Sequence, residues 1–461
     1  MYIHWSAGVA RAAFRGILAG LLIASQAAVA GGVRPHALRW DRALVTPDAA
    51  PHFSCETAAF NDPNGVCYGP DAIRKAYDID KLIAAGYTGA GQTIVIIEAY
   101  GSPTLAGDLA AFDARFGLPP PPSLQQIHMP GSTPFDYADD NQVGWAEETS
   151  LDVQWAHAVA PGARIVVVAA ATNNDDDILA AQNYAIDHKL GFIMSESFGE
   201  SELALLQEGP AGIKNLNDNE KSYKRAADGN ISVVVSSGDD GAAGTDINDV
   251  FQTFPVADYP ASSPNVTTIG GTSLYFGSRK RADPKGTYQG EVVWNETFPD
   301  GSDLASGGGI SGYFAAPDYQ NGLAPKSGPK GRLKSRAYPD VAYNAGVYTG
   351  VLVYLGFLDT AWGPGYNGFY AFGGTSVGTP QWAGIVAIAN QKGGKPLGFL
   401  NKTLYDLGKK GTLGSVLNDI TLGDNGAYGV PGYPATPGWD FATGWGTPNA
   451  GLVDALIKGS K

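Results

Sequence analysis

The stretch Gly373-Gly374-Thr375-Ser376-Val377-Gly378-Thr379-Pro380 decides how this chain folds, because it carries a hydroxyl on a strand-to-helix turn. Before it runs the aromatic, strand-like Phe369-Tyr370-Ala371-Phe372; after it, Gln381 to Asn390 reads as a small-residue helix. Glycine accepts backbone angles that a side chain would forbid, and Pro380 suits a first helical turn. Ser376 is thereby set near the unpaired amides of a helix start, a favourable place for a nucleophile. Gly-rich turns of this kind are more often packing devices. The meaning of Ser376 therefore rests on which base can take its proton.

The order of the histidines answers part of that question. Gly374-Thr375-Ser376-Val377-Gly378 fits the G-x-S-x-G elbow of α/β-hydrolases, in which the histidine follows the serine. The six histidines are His4, His36, His52, His128, His157 and His188, and none follows Ser376, which excludes that reading. An Asp–His–Ser order is permitted. However, His128 sits beside Met129-Pro130, His157 lies among alanines, and His188 is in the polar Asp187-His188-Lys189 turn. These are settings of surface or packed histidines.

Carboxylates offer a better base. Glu148 and Asp152 stand four apart in a segment that predicts a helix ended by Pro161, which puts both on one face. That face continues through Ala156 and Val159, so it is expected to point inward; a solvated acidic face is the alternative. Two like charges in a poorly solvated site cannot both ionise easily, and at least one pKa rises. Such a pair can accept a serine proton in acid, where imidazole is already protonated. Glu147 is five from Asp152 and off the shared face. A third piece is Val233-Val234-Val235-Ser236-Ser237-Gly238-Asp239, a buried strand emptying into a polar loop. Asp in such a loop is usually a turn former. Loops at the carboxyl ends of strands nevertheless line the cleft of open α/β sheets, and a protonated Asp239 there can donate to an oxyanion. Strand-like runs at 94–97, 165–168, 192–194 and 233–235 alternate with helical segments, which predicts an α/β fold with a parallel, doubly wound sheet.

Taken together, the E-x-x-x-D helix, the Ser-Gly-Asp loop and the Gly-Thr-Ser-x-x-x-Pro turn resemble the sedolisins, serine-carboxyl peptidases related in fold to subtilisin. The likeness runs from about Cys67 to Leu456 and includes Gly89–Ile97, Ser262–Val266 with Gly270-Gly271-Thr272, and Tyr338–Ala342. It implies a subtilisin-like, mostly parallel sheet with helices on both faces. It further implies Ser376 as nucleophile, Glu148 as its base, Asp152 supporting Glu148, Asp239 as the oxyanion acid, and Glu98 in an outer hydrogen-bond network. Ser195–Gly199 resembles the segment that binds substrate backbone by strand addition, with Ser197, Phe198 and Gly199 as contacts. Two C-terminal segments resemble the family's loop for one structural Ca²⁺, with side chains of Asp419 and Asp440 and carbonyls of Ile420, Thr436 and Gly438 as ligands. Hard oxygen donors of this kind suit calcium; Thr436 stands where better-known members have glycine. The implied activity is that of an acid endopeptidase on proteins or peptides. The alternatives are a tripeptidyl-peptidase-type exopeptidase and a catalytically silent binding protein on the same scaffold.

The remaining sequence sets the organisation. Residues 1–30, with Arg11 and Arg15 before an apolar run and Ala28-Val29-Ala30 at its end, read as a secretory signal. The product is expected to be secreted, extracellular or periplasmic, and free of the membrane after signal cleavage. Residues 31–66 form a short extension, smaller than the folded pro-domain of typical sedolisins, and 67–458 the peptidase domain. Cys55 and Cys67, the two cysteines, are expected to pair in an oxidising compartment. The polar stretch Asn215–Lys224 reads as a surface excursion and Ser327–Arg336 as a basic surface loop. A net charge of −14 argues against nucleic acid or anionic membranes as partners. A monomer is expected.

Overall fold

The computed structural model describes residues 32–39, 44, 52–328 and 331–460; the expected signal, 1–30, lies outside the described residues. The apolar runs form the centre of a nine-stranded sheet. Across it lie Leu124–His128, Arg164–Ala170, Thr93–Ala99, Ile193–Glu196, Ser232–Ser236 and Thr267–Ser278, each pair parallel. Val341–Asn344 continues the sheet in parallel, and Thr287–Val293 pairs antiparallel with Thr267–Ser278. Side chains alternate between faces along a strand. Ile94, Ile96, Ile165 and Val167 pack in one core, whereas Val95, Ile97, Val166 and Val168 pack in another. Both faces are covered, which is why these strands read as continuous apolar runs.

Helices Asp140–Val159 and Gly378–Gly393 contribute to the first core, and Asp175–Asp187 and Pro210–Asp228 to the second. The first sheet strand in sequence, Thr93–Ala99, lies mid-sheet, with later strands on both sides. Such a reversal opens a crevice at the carboxyl ends of the strands. Glu98, Glu196 and Ser236 all lie at that edge.

Helix Asp140–Val159 is buried from Gln142 to Val159. It is capped by the Asp139 carboxylate, which accepts from Asn141 N, a contact worth about 1 kcal/mol. The inward expectation for Glu148 and Asp152 holds. Gly384 lets the neighbouring helix come close: a Cβ there would lie 2.6 Å from Val159 Cγ1. That approach brings the Ser376 turn beside the helix carrying Glu148.

Two surface expectations need correction. Asn215–Lys224 lies in helix Pro210–Asp228, whose Leu216 and Tyr223 are buried while its lysines face out. Arg336, read as part of a basic surface loop, is fully buried and makes a bidentate pair with Asp340, at 2.8 and 2.6 Å. Cys55 and Cys67 do form a disulfide; closing 12 residues of chain contributes about 3 kcal/mol in the chain-entropy picture. It joins the turn Ser54–Thr57 to strand Val66–Tyr68, part of a second sheet ordered Leu38–Arg39, Gly368–Gly373, Thr349–Leu355, Val66–Tyr68. Among the described residues no helix is long and apolar enough to cross a membrane.

Candidate active site

Strand Gly368–Gly373 ends at Gly374, whose φ of +97° favours glycine, and the chain then makes a single 3₁₀ turn, Thr375–Val377, into the next helix. Ser376 is buried there, with Oγ 3.3 Å from Ser197 O. The Ser376 hydroxyl also favours the charged form of Glu148, against the larger opposing effects of burial and Asp152 that hold Glu148 well above the usual carboxylate range. One helical turn on, burial pushes Asp152 up to about 8, opposed by hydrogen bonds from Ser197, Glu98 and Glu148. The Ser197 hydroxyl donates to both Asp152 oxygens, at 3.0 and 2.8 Å. Glu98 completes the row; burial first, then the charges of Asp152 and Glu148, hold its pKa well above the usual carboxylate range. Fully buried carboxyls in contact must share protons. The carboxyls of Glu98, Asp152 and Glu148 form one interacting buried cluster, with Glu148 influenced by the Ser376 hydroxyl.

Asp239 approaches from the loop after Ser232–Ser236. Its Oδ1 accepts from Thr375 N and Thr375 Oγ1, both at 2.8 Å, while Oδ2 is buried with no partner. Burial, reinforced by Asp240, holds its pKa well above the usual range despite those two bonds. A neutral acid with one oxygen fixed and the other free is a donor waiting for an acceptor. The four expected catalytic side chains are therefore brought into one neighbourhood, Asp239 beside Thr375 and Asp152 behind Glu148. Among the described residues no histidine hydrogen-bonds Ser376: His128 and His188 are exposed, and His157 is buried against Pro119 O and Asp113.

Strand Phe198–Ser201 lines the cleft, and residues 32–39 lie in it. Arg34 and Pro35 pair antiparallel with Gly199 and Phe198. His36 N donates to Ser197 O at 3.1 Å, and Ala37 N donates to Glu148 Oε2 at 2.7 Å. A Cβ on Gly374 would sit 2.0 Å from His36 O and 2.7 Å from Asp239 Oδ2, so both oxygens converge over that glycine. The His36 ring contacts Ser236 Oγ at 2.7 Å and lies 4.0 Å from Asp258 Oδ2. Sequence reasoning missed this occupancy, the Asp258 and Ser236 contacts, and the hub role of Ser197. The segment 32–39 has no periodicity, and its partners are more than 100 residues away.

The implied calcium ligands lie in two adjoining loops. Asp419 Oδ2 accepts from Gly438 N at 2.9 Å, and Asp440 Oδ2 from Thr436 N at 2.9 Å. Thr436 Oγ1 is buried without a partner. Among the described residues no three His, Cys, Asp or Glu side chains form a metal cluster, so an ion here needs backbone carbonyls as well. Two carboxylates beside an orphaned hydroxyl in glycine-rich loops are an all-oxygen set that fits a hard cation.

This geometry sets a buried serine beside a cluster of buried carboxyls. Residues 138–446 match the Subtilase family. Kumamolisin of Bacillus sp. (strain MN-32) is 34% identical over 423 residues, which are 89% of this chain and 69% of that protein. Sedolisin of Pseudomonas sp. (strain 101) is 31% identical over 378 residues, 80% of this chain and 58% of its own length. A solved structure of Pseudomonas sedolisin, a serine-carboxyl proteinase complexed with two molecules of pseudo-iodotyrostatin, aligns with a TM-score of 0.71 at 28% identity. That alignment covers 86% of this chain and 98% of the other. The chain belongs to the subtilase family, in its sedolisin and kumamolisin branch of serine-carboxyl peptidases.

Proposed function

We propose that the protein is a secreted endopeptidase that works in acid, cutting peptide bonds of proteins through an acyl-enzyme on Ser376. The observation that carries this reading is that Ser376, Glu148 and the unpartnered Asp239 Oδ2 are buried in one neighbourhood, with no histidine bonded to Ser376 among the described residues. Glu148 takes the Ser376 proton as Oγ attacks the substrate carbonyl. Asp152, held by Ser197 and next to protonated Glu98, keeps Glu148 able to cycle its proton. Asp239 donates from Oδ2 to the developing oxyanion, where a donor in a poorly solvated site is worth most. Glu148 then protonates the leaving amine, and water resolves the ester by the reverse route.

The cleft admits chain on both sides of the catalytic point: residues 32–36 lie on one side and 37–39 on the other. This favours internal cutting over removal of N-terminal tripeptides, which needs one end closed. Calcium at Asp419, Ile420, Thr436, Gly438 and Asp440 would tie the C-terminal loops together and supply stability rather than chemistry. The signal-like N-terminus supports export, and the acidic chain supports the absence of nucleic-acid partners and a monomeric state. The test is to incubate the purified protein with a denatured protein at pH 3–5 and map the cuts. Internal cuts that vanish in Ser376→Ala support the reading; only N-terminal tripeptides, or no cuts by folded protein, overturn it.

A further inference from the structure

The leaving-group half of the cleft is built by side chains that the catalytic reading does not use. Leu38 and Arg39 pair antiparallel with Gly373 and Phe372 along the edge of strand Gly368–Gly373. Leu44 N donates to Phe369 O at 2.7 Å, further along the same strand. Chain on this side of the catalytic point is therefore held as an added strand, and successive side chains turn to opposite faces. Leu38 packs against the cluster of Trp294, Phe298, Leu304, Ala345 and Val347. Arg39 enters a different and more demanding pocket.

Three groups close around its guanidinium. The Arg39 Cζ lies 4.5 Å from the centre of the Trp362 ring and 5.0 Å from that of Tyr370, and Nε is 3.1 Å from both oxygens of Glu147. Arg39, Glu147 and Tyr370 are buried and Trp362 is half-buried. Glu147 precedes Glu148 in the helix and is turned from it by about 100°, so adjacent carboxylates serve two different places. The aromatic walls are fixed by contacts of their own. The Tyr370 hydroxyl donates to Tyr366 O, and the Tyr366 ring meets Trp362 edge-on at 5.7 Å. Asp359 Oδ1 accepts from Tyr366 N and Asn367 N, at 2.7 and 2.9 Å, which holds the turn after Trp362. Two aromatic rings and a buried carboxylate suit a planar, delocalised cation better than a compact ammonium.

We propose that Glu147, Trp362 and Tyr370 form a substrate subsite that selects arginine at the third residue after the cut. The proposal rests on the catalytic reading above and concerns peptides that enter from solution, whose leaving half takes the course now followed by residues 37–39. The register comes from Ala37, whose N–H meets Glu148, the group that protonates the departing amine. Ala37 thus marks the first place after the cut and Arg39 the third. A net charge of −14 draws cationic chain toward the protein, and the subsite decides where along that chain the cut falls.

The test uses the full chain and internally quenched peptides that differ only at the third residue after the cut, with Arg, Lys, Leu or Glu there and the cut bond confirmed by mass. At pH 5 the native protein should show kcat/KM for Arg at least about tenfold above Leu, with Lys between them and Glu lowest. A digest of denatured protein should be enriched in Arg at the same place. Trp362→Ala should erase the ratio of Arg to Leu while leaving the Leu peptide unchanged, and Glu147→Lys should turn the preference toward Glu, with thermal melting as the control for folding. A merely structural role would slow all four peptides together and leave their ratios alone. Equal action of the native protein on Arg, Leu and Glu peptides, a digest with no Arg enrichment, or unmoved ratios in the folded variants overturns the subsite and leaves the peptidase reading intact. Folded native protein with no action on peptide or protein overturns the peptidase reading itself.

Discussion

Replacing Asp239 by asparagine and by alanine separates the two jobs that its carboxyl performs. Oδ1 is anchored by two bonds from Thr375, and Oδ2 is buried without a partner beside Gly374; the proposed function makes it the oxyanion donor. Asparagine keeps the acceptor at Oδ1 and places an N–H donor where Oδ2 was. Alanine removes both, leaving Thr375 N–H buried and unpaired at a cost of about 1–3 kcal/mol of stability. Loss of one oxyanion donor raises the barrier by roughly 2.7–4 kcal/mol, or about 10²–10³ in kcat. Asp239→Ala should therefore fall by that factor in protein shown to be folded, and Asp239→Asn by much less. The native carboxyl donates only while protonated, so wild-type activity must fall as pH rises and Asp239 ionises. An amide does not titrate, and Asp239→Asn should carry its activity to higher pH than the native enzyme. The assay is kcat and kcat/KM on an internally quenched peptide from pH 3 to 8. Equal losses in the two variants with an unmoved alkaline limb would refute the assignment of Asp239 as donor.

The other expectations are direct. Ser376→Ala should abolish hydrolysis, and Glu148→Gln should lose about 10²–10⁴ in kcat with its fold intact, measured on the same peptide with thermal melting as control; an active Glu148→Gln would remove it as base. Gly199→Val should raise KM at least tenfold, because its Cβ would displace Asp258 and the side chain beside it; unchanged KM in folded protein removes this strand from the site. Chelation should lower Tm and excess Ca²⁺ restore it. At 100 times its Kd, a bound ion contributes about 2.7 kcal/mol, and a Tm indifferent to EDTA, with no calcium in metal analysis, would eliminate the site.

How much of this was legible depended on whether a residue's role is local. Glu148 and Asp152 could be paired because four residues make one helical turn, and the 93–99 and 232–236 strands declared themselves by doubly covered apolar runs. Ser376 was readable from the glycines and proline around it. Arg336 was not, because a loop rich in Lys and Arg conceals that one member meets Asp340 four positions on and leaves the surface. The polar face of Pro210–Asp228 masked Leu216 and Tyr223, seven apart on its buried side. Residues 32–39 carry no pattern at all; their extended form comes from the exposed edges of Phe198–Ser201 and Gly368–Gly373. Such pairing is imposed by tertiary structure and leaves no trace in local propensity.

The buried carboxyls have a consequence for the fold as a whole, since they make protons a component of the native state. Glu196, fully buried beneath Tyr223 and Gln182, is moved from an ordinary 4.5 to about 8 by burial, which outweighs those two hydrogen bonds. The unfolded chain releases this proton above pH 4.5 whereas the folded chain keeps it to about 8. Stability from this residue is therefore complete below the lower value and drains away as pH rises through the higher one. At about 1.4 kcal/mol per pH unit, Glu196 alone withdraws roughly 3 kcal/mol by pH 7. Glu98, Glu148 and Asp239 shift in the same direction. Urea midpoints should fall between pH 4 and 7, less steeply in Glu196→Gln, and parallel slopes would contradict the linkage. A molecule so built is expected to be less stable in neutral surroundings than in acid.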